Sequence, residues 1–275
     1  MVAVKIKKQL VRRMLAFLFL LLIALAVWQW EMIYYLSVQA KGQITVVWGA
    51  RPVQEVIEDP LVQPEVKKKL HYLQSVRAYT IEELGLVDSD NYTQFYDHGA
   101  EPLMHVVTAA PPYSLESHEW SFPIMGSFEY KGYFDREMAE AEAALLQTQG
   151  YDTRIRTASA WSTLGYFTDP ILSGMLDRGP GSLAELLIHE LTHSTIFVPD
   201  STSFNENLAT FIGEQGALSY LKAKYGPETQ VVKDYEAQNA DSRRYKAHML
   251  RGKDMLDSLY QTFTDQTPET TKEQQ

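Results

Sequence analysis

The period of the apolar positions changes along the chain, and each change predicts a different element. Met14 to Trp30 is a 17-residue stretch without a charged side chain, mostly Leu, Ala, Phe and Ile. Met32, Ile33 and the aromatic residues Trp28, Trp30, Tyr34 and Tyr35 extend it towards the length of a membrane span with an interfacial belt. Apolar, helix-like sequence continues from Lys41 to Ala50 and stops at Arg51-Pro52. Pro64 to Leu84 reads as an amphipathic helix, with Pro64 in its first turn and Leu70, Leu73, Val76 and Leu84 at helical spacing before Gly85. From His105 to Phe134 the pattern shortens to apolar runs (His105–Ala109, Phe122–Met125), and Ser127 to Phe134 alternates aromatic with polar residues, which predicts a small antiparallel sheet. Asp135 is placed to cap a helix running through Gln149 and closed by Gly150. Tyr151 to Ala160 offers another strand, and everything beyond Leu164 has helical character until a polar tail begins at Thr264.

This pattern predicts an α+β, mostly helical domain with a small antiparallel sheet, preceded by one N-terminal transmembrane helix. The expected divisions are a basic head at 1–13, an anchor at 14–35, the domain at 36–263 and a disordered tail at 264–275.

Charge sharpens the division. Residues 1–13 hold Lys5, Lys7, Lys8, Arg12 and Arg13 and no acid, whereas 41–275 holds 20 basic against 34 acidic residues, a net of −14. A basic head before an apolar run is a membrane anchor or a secretory signal, and Ala24-Leu25-Ala26 has the small-x-small form of a cleavage site. In either case the head stays cytoplasmic and the acidic domain lies on the periplasmic or extracytoplasmic side of a membrane. The acidic domain disfavours a nucleic-acid partner. Cysteine is absent, so disulfides, thiol nucleophiles and Cys-held metals are excluded, and any metal must be held by His, Asp and Glu.

The strongest chemical signal is His189-Glu190-Leu191-Thr192-His193. Two imidazoles at i and i+4 stand one above the other on a helix face and can share one ion at about 2.0–2.1 Å. A glutamate between them is placed to take a proton from a water on that ion. Ser182-x-x-Glu185 has the form of a capping box, and Leu183, Leu186, Leu187 and Leu191 supply an apolar stripe, so the helix is expected from Ser182 to about Val198. For a third ligand, spacing leaves two glutamates open: Glu206, which could instead close a capping box with Ser203, and Glu214.

The run Asn205-Glu206-Asn207-Leu208-Ala209 resembles the Asn-Glu-x-x-Ala signature around the glutamate ligand of gluzincin aminopeptidases. Further motifs follow in order along the chain: Gly42-Gln43, Arg51-Pro52-Val53, Trp120-Ser121-Phe122-Pro123, Lys131-Gly132-Tyr133-Phe134-Asp135, Trp161-Ser162-Thr163-Leu164-Gly165, Asp169-Pro170 and Phe204-Asn205-Glu206. Together they resemble the bacterial "predicted aminopeptidase" family of exported zinc proteins. The resemblance implies Zn2+ held by His189, His193 and Glu206, with Glu190 as the catalytic base. Many relatives carry a lipobox cysteine after the apolar segment, and its absence here favours a protein anchor.

The function expected is a membrane-anchored, exported, zinc-dependent metallopeptidase acting on peptides, an aminopeptidase by resemblance. Alternatives are an envelope endopeptidase with the same site, or a non-catalytic membrane-tethered scaffold with a structural metal. Tyr133, Tyr166 and His248 are candidates for stabilising an oxyanion, and Glu116 and Glu119 for pairing with a substrate amine. Oligomeric state is not readable from the sequence.

Overall fold

The computed structural model describes residues 14–17, 27–122, 126–157, 168–199, 201–264, 267–268, 270 and 272. The chain divides into two compact units, Met1–Thr45 and Val46–Gln275. In the first, the described apolar side chains Met14, Phe17, Trp28 and Trp30 are exposed. Helix α1, Trp30–Gly49, begins there. The expected anchor falls on 14–35, of which 18–26 lie outside the described residues. Among the described residues no helix is long and apolar enough to cross a membrane. Much of the tail, 265–266, 269, 271 and 273–275, likewise lies outside them.

The second unit is α+β and mostly helical. β1 (Arg51–Pro52) leads into the short α2 (Val53–Glu58), and α3 (Pro64–Glu82) opens with Pro64 where the sequence places it. Leu70, Leu73 and Val76 of α3 are buried, as the spacing requires. β2 (Gln94–Tyr96) pairs antiparallel with β1 and parallel with β8 (Ile171–Leu172), giving a mixed sheet of order β1-β2-β8. β8 corrects the expectation that everything after Leu164 is helical. Two residues of strand carry no periodicity, and their partner lies far back in the chain.

The antiparallel sheet is built on β3 (His105–Ala110), flanked by β6 (Lys131–Tyr133) and β7 (Asp152–Thr157). β4 (Trp120–Phe122) and β5 (Gly126–Phe128) form a separate hairpin. The alternating stretch Ser127–Phe134 is therefore two short strands with different partners rather than one. α4 (Arg136–Thr148) packs on β3 and β7. Its N-cap is Asp135, whose Oδ1 accepts from Met138 N–H at 3.0 Å, and Gly150 beyond its end has φ +87°. Glu142 of α4 accepts from Trp120 Nε1 at 2.7 Å and pairs with Lys131 Nζ at 3.1 Å, fastening both sheets to one helix.

A 3-10 turn, Ser173–Asp177, leads from β8 to α5 (Pro180–Thr195), followed by α6 (Thr202–Tyr225) and α7 (Gln230–Tyr260). The main core lies where α3, α5 and α6 meet, with Leu183, Leu187, Ile188, Leu191, Ala217, Tyr220 and Leu221 all buried. α5 departs from its expected limits at both ends. Pro180 occupies the first turn after Gly179, so Ser182 is already inside the helix and caps nothing. Glu185 accepts from the Tyr235 hydroxyl at 2.8 Å instead of closing a capping box. At the other end the backbone is extended at Ile196 (φ −134°, ψ 117°), three residues short of the expected stop at Pro199.

Candidate metal centre

His189 and His193 project from the last two turns of α5, and Glu206 from the second turn of α6. Two local devices bring them together. The first is Asn205, which is buried: its Oδ1 accepts from Val198 N–H at 2.9 Å and its Nδ2 donates to Val198 O at 2.8 Å. This two-bond clasp folds the connector onto the start of α6 and accounts for the early end of α5. The second is Gly213, where a Cβ would stand 3.0 Å from the Glu185 carbonyl oxygen and 3.2 Å from His189 Cβ. The helices approach so closely there that only glycine leaves room without a shift.

The three donor groups form a tight triangle. His189 Nε2 lies 3.2 Å from His193 Nε2 and 3.5 Å from Glu206 Oε2, and His193 Nε2 lies 3.4 Å from Glu206 Oε1. These spacings can be compared with a tetrahedral zinc site, in which ligands at about 2.0–2.1 Å stand roughly 3.3–3.4 Å apart. Two imidazole nitrogens and one carboxylate are also a donor set that suits zinc. The residues therefore fit a metal ion, and the group is one that could hold it. Burial and the neighbouring His193 lower the pKa of His189, which favours the neutral ring a ligand needs.

Glu190 faces a different environment. Burial first, then the charges of Glu206 and Asp169, push its carboxyl up to about 7, with the Tyr92 hydroxyl and Arg178 acting in the opposite direction. Tyr92 is buried at 4% exposure and has an unusual backbone for a non-glycine residue, φ 61°. Its N–H donates to Asp169 O at 2.7 Å. The sequence pattern did not single out this tyrosine; the run Asp88-Ser89-Asp90-Asn91 before it marks a loop but not a contact with α5.

The remaining candidates among the described residues are not brought to the cluster. Glu214 lies on α6 with Oε2 3.9 Å from Arg243 Nη1, outside the triangle, and the Ser203 capping box does not form because α6 already starts at Thr202. Tyr133 is buried in β6 opposite His105, and its hydroxyl faces Glu142 of α4. His248 is on the exposed part of α7, Glu116 is exposed in the loop after β3, and Glu119 directly precedes β4. Tyr166 and the Trp161–Gly165 motif lie outside the described residues.

A family model described as "Putative aminopeptidase" matches residues 34–275. The chain belongs to this family. Neither the curated proteins nor the solved structures gave a match. The matched span contains all the elements that carry the triangle, so family membership and the cluster concern the same part of the chain.

Proposed function

We propose that the protein is a zinc-dependent metallopeptidase, an aminopeptidase, with His189, His193 and Glu206 as the metal ligands and Glu190 as the general base. The observation that carries this reading is the triangle of Nε2 and carboxylate oxygens with edges of 3.2, 3.4 and 3.5 Å. Zinc bound there supplies Lewis acidity, making a water more acidic and polarising the scissile carbonyl. Glu190 takes a proton from the attacking water and delivers it to the departing amine. In the metal-free protein burial already pushes this carboxyl up, which favours its holding the proton between the two transfers. A glutamate so placed has no purpose in a purely structural metal site, which disfavours the scaffold alternative.

The same reading includes tethering through the N-terminal apolar segment, with the catalytic unit on the extracytoplasmic side. The five basic residues before the 17-residue uncharged run support it, as do the exposed Met14, Phe17 and Trp28.

The test uses the full-length chain in detergent. It should carry stoichiometric zinc and release the chromophore from aminoacyl-anilides, and Glu190→Ala should keep the metal while activity falls by about 10²–10⁴-fold. Equal activity in the two proteins sinks the enzyme reading. Hydrolysis of N-blocked peptides as readily as free ones replaces aminopeptidase with endopeptidase and leaves the site intact.

A further inference from the structure

Helix α7 is fastened at both ends and bare between them. Near its start Val232 and Tyr235 are buried, and the Tyr235 hydroxyl donates to Glu185 Oε2 at 2.8 Å. At its other end Tyr260, and Phe263 just beyond it, meet the Tyr113 ring edge-on, with centroids 6.0 and 5.6 Å away. Every residue from Asp241 to Arg251 is exposed. We propose that this middle stretch is a membrane-docking face, seated on a bilayer of anionic lipids by an apolar stripe and the bases on either side of it. The proposal goes beyond the tethered reading above and is independent of the metal site.

Charge is the first support. From Arg243 to Lys253 the chain holds Arg243, Arg244, Lys246, Arg251 and Lys253 and no acid, inside a domain of net charge −14. Near an anionic surface this face is drawn in while the acidic remainder of the domain is repelled, so the charge pattern sets the orientation of docking. Arg243 Nη1 lies 3.9 Å from Glu214 Oε2, Lys253 Nζ lies 3.9 Å from Asp254 Oδ1, and Arg244 pairs with Asp241. These three bases keep more than half of their side chains in solvent, where such pairs contribute little and lipid phosphates can compete for them.

The placement of the side chains around the helix is the second. At about 100° per residue Tyr245, Met249, Gly252 and Leu256 fall in one narrow stripe, and its three large side chains are exposed. Lys246 and Lys253 border the stripe on one side, and Arg244 and Arg251 border it on the other, while Asp254 stands opposite. A helix lying in a membrane interface has this arrangement: apolar side chains enter the acyl boundary and long cationic ones snorkel to the phosphates. A nucleic acid would use the bases and leave Met249 and Leu256 in water. A second copy would bring the basic run against its own like. Because both ends of α7 are held, the helix is formed before docking and little order has to be created by it.

The chain has no cysteine, so Met249→Cys and Ala247→Cys, each carrying a polarity-sensitive fluorophore, report on opposite faces of α7. The full-length protein is reconstituted in nanodiscs of phosphatidylcholine with or without phosphatidylglycerol. With the anionic lipid the probe on Met249→Cys should shift to the blue and be quenched by nitroxide-bearing lipid, while the probe on Ala247→Cys stays aqueous. Lys246→Glu combined with Lys253→Glu reverses two charges, lowers the ratio of docked to free helix on the order of 1,000-fold and should abolish the shift. Salt at about 1 M should weaken it in the unmodified background, because the screening length falls. An aqueous probe at Met249→Cys on the anionic discs would overturn the proposal, as would a shift that persists in the charge-reversed variant or is equal without phosphatidylglycerol. A shift that appears in detergent and grows with protein concentration would overturn it too, and assign the face to a second copy. A chain that does not enter the discs removes the tether alone; the probes are then read on anionic vesicles added to the free chain, with the same outcomes.

Discussion

The helix pair α5–α6 and the far half of α7 are equally regular, yet they meet their surroundings in opposite ways. Along the pair, Ala184, Ala209, Gly213, Gly216 and Ala217 are small and let the two backbones approach, while Leu187, Ile188 and Leu191 fill what remains. On α7 only Val232 and Tyr235, near its start, are buried. Further on, Tyr245, Met249 and Met255 are exposed, at 65%, 52% and 74%. A long helix forms on propensity and length in either setting. A set of ligands fixed to a few tenths of an ångström needs the first setting, in which the distance between backbones is dictated by residues that have no side chain to give way.

The largest expected effect tests whether that distance defines the metal site. Glu206→Ala should weaken zinc binding on the order of 1,000-fold, beyond the loss typical of a residue that merely supports a ligand. Glu214→Ala, two turns further along α6 and facing Arg243, should leave affinity within about threefold of wild type, a change too small to signal a lost ligand. Chelator competition measures both. Reversed results would move the third ligand to Glu214 and break the link between the observed triangle and the ion.

The next effect concerns charge held inside the pair. In metal-free protein the Glu190 carboxyl is raised from its ordinary 4.5 to about 7, so the folded chain retains a proton that the unfolded chain has already released. Stability from this group is therefore fully present below about 4.5 and is lost as pH rises through about 7, an effect on the order of 3 kcal/mol. Glu190→Gln stays neutral throughout and escapes the loss. Urea unfolding in chelator at pH 5 and pH 8 should show the variant gaining on wild type at the higher pH. A constant difference would mean that Glu190 is solvated and the helix pair open to water.

The same contrast explains what was legible in the sequence. His189, Glu190 and His193 announce themselves because helical geometry converts a four-residue spacing into one face, and α3 and α4 are legible for the same reason, with Pro64 and Asp135 as local start signals. Glu206 needed a resemblance, since spacing alone left Glu214 equal to it. Tyr92 was invisible. It sits in a loop fastened by Asn91 to Ser194, and nothing local to that loop records a partner so distant in the chain. The parallel pairing of β2 with β8 was hidden likewise, in strands too short to show a period. The capping box read at Ser182 failed because two local signals competed, and Pro180 set the helix start first.

The two smallest effects set the helices against each other with one chemical change. At Gly213 an added methyl meets the Glu185 carbonyl oxygen at 3.0 Å and His189 Cβ at 3.2 Å, with backbone on one side and a ligand-bearing residue on the other. Gly213→Ala should therefore destabilise by about 1–3 kcal/mol and weaken zinc binding with it, because the strain is relieved by moving α5 away from Glu206. At Gly252 of α7 nothing lies within 4 Å of the added carbon. There only helix propensity acts, and Gly252→Ala should stabilise by about 0.5–1 kcal/mol with zinc affinity unchanged. Chemical denaturation with parallel zinc titration reads both signs. If the two variants behaved alike, close approach would not be what holds the ligands, and the clasp of Asn205 on Val198 would have to fix Glu206 unaided.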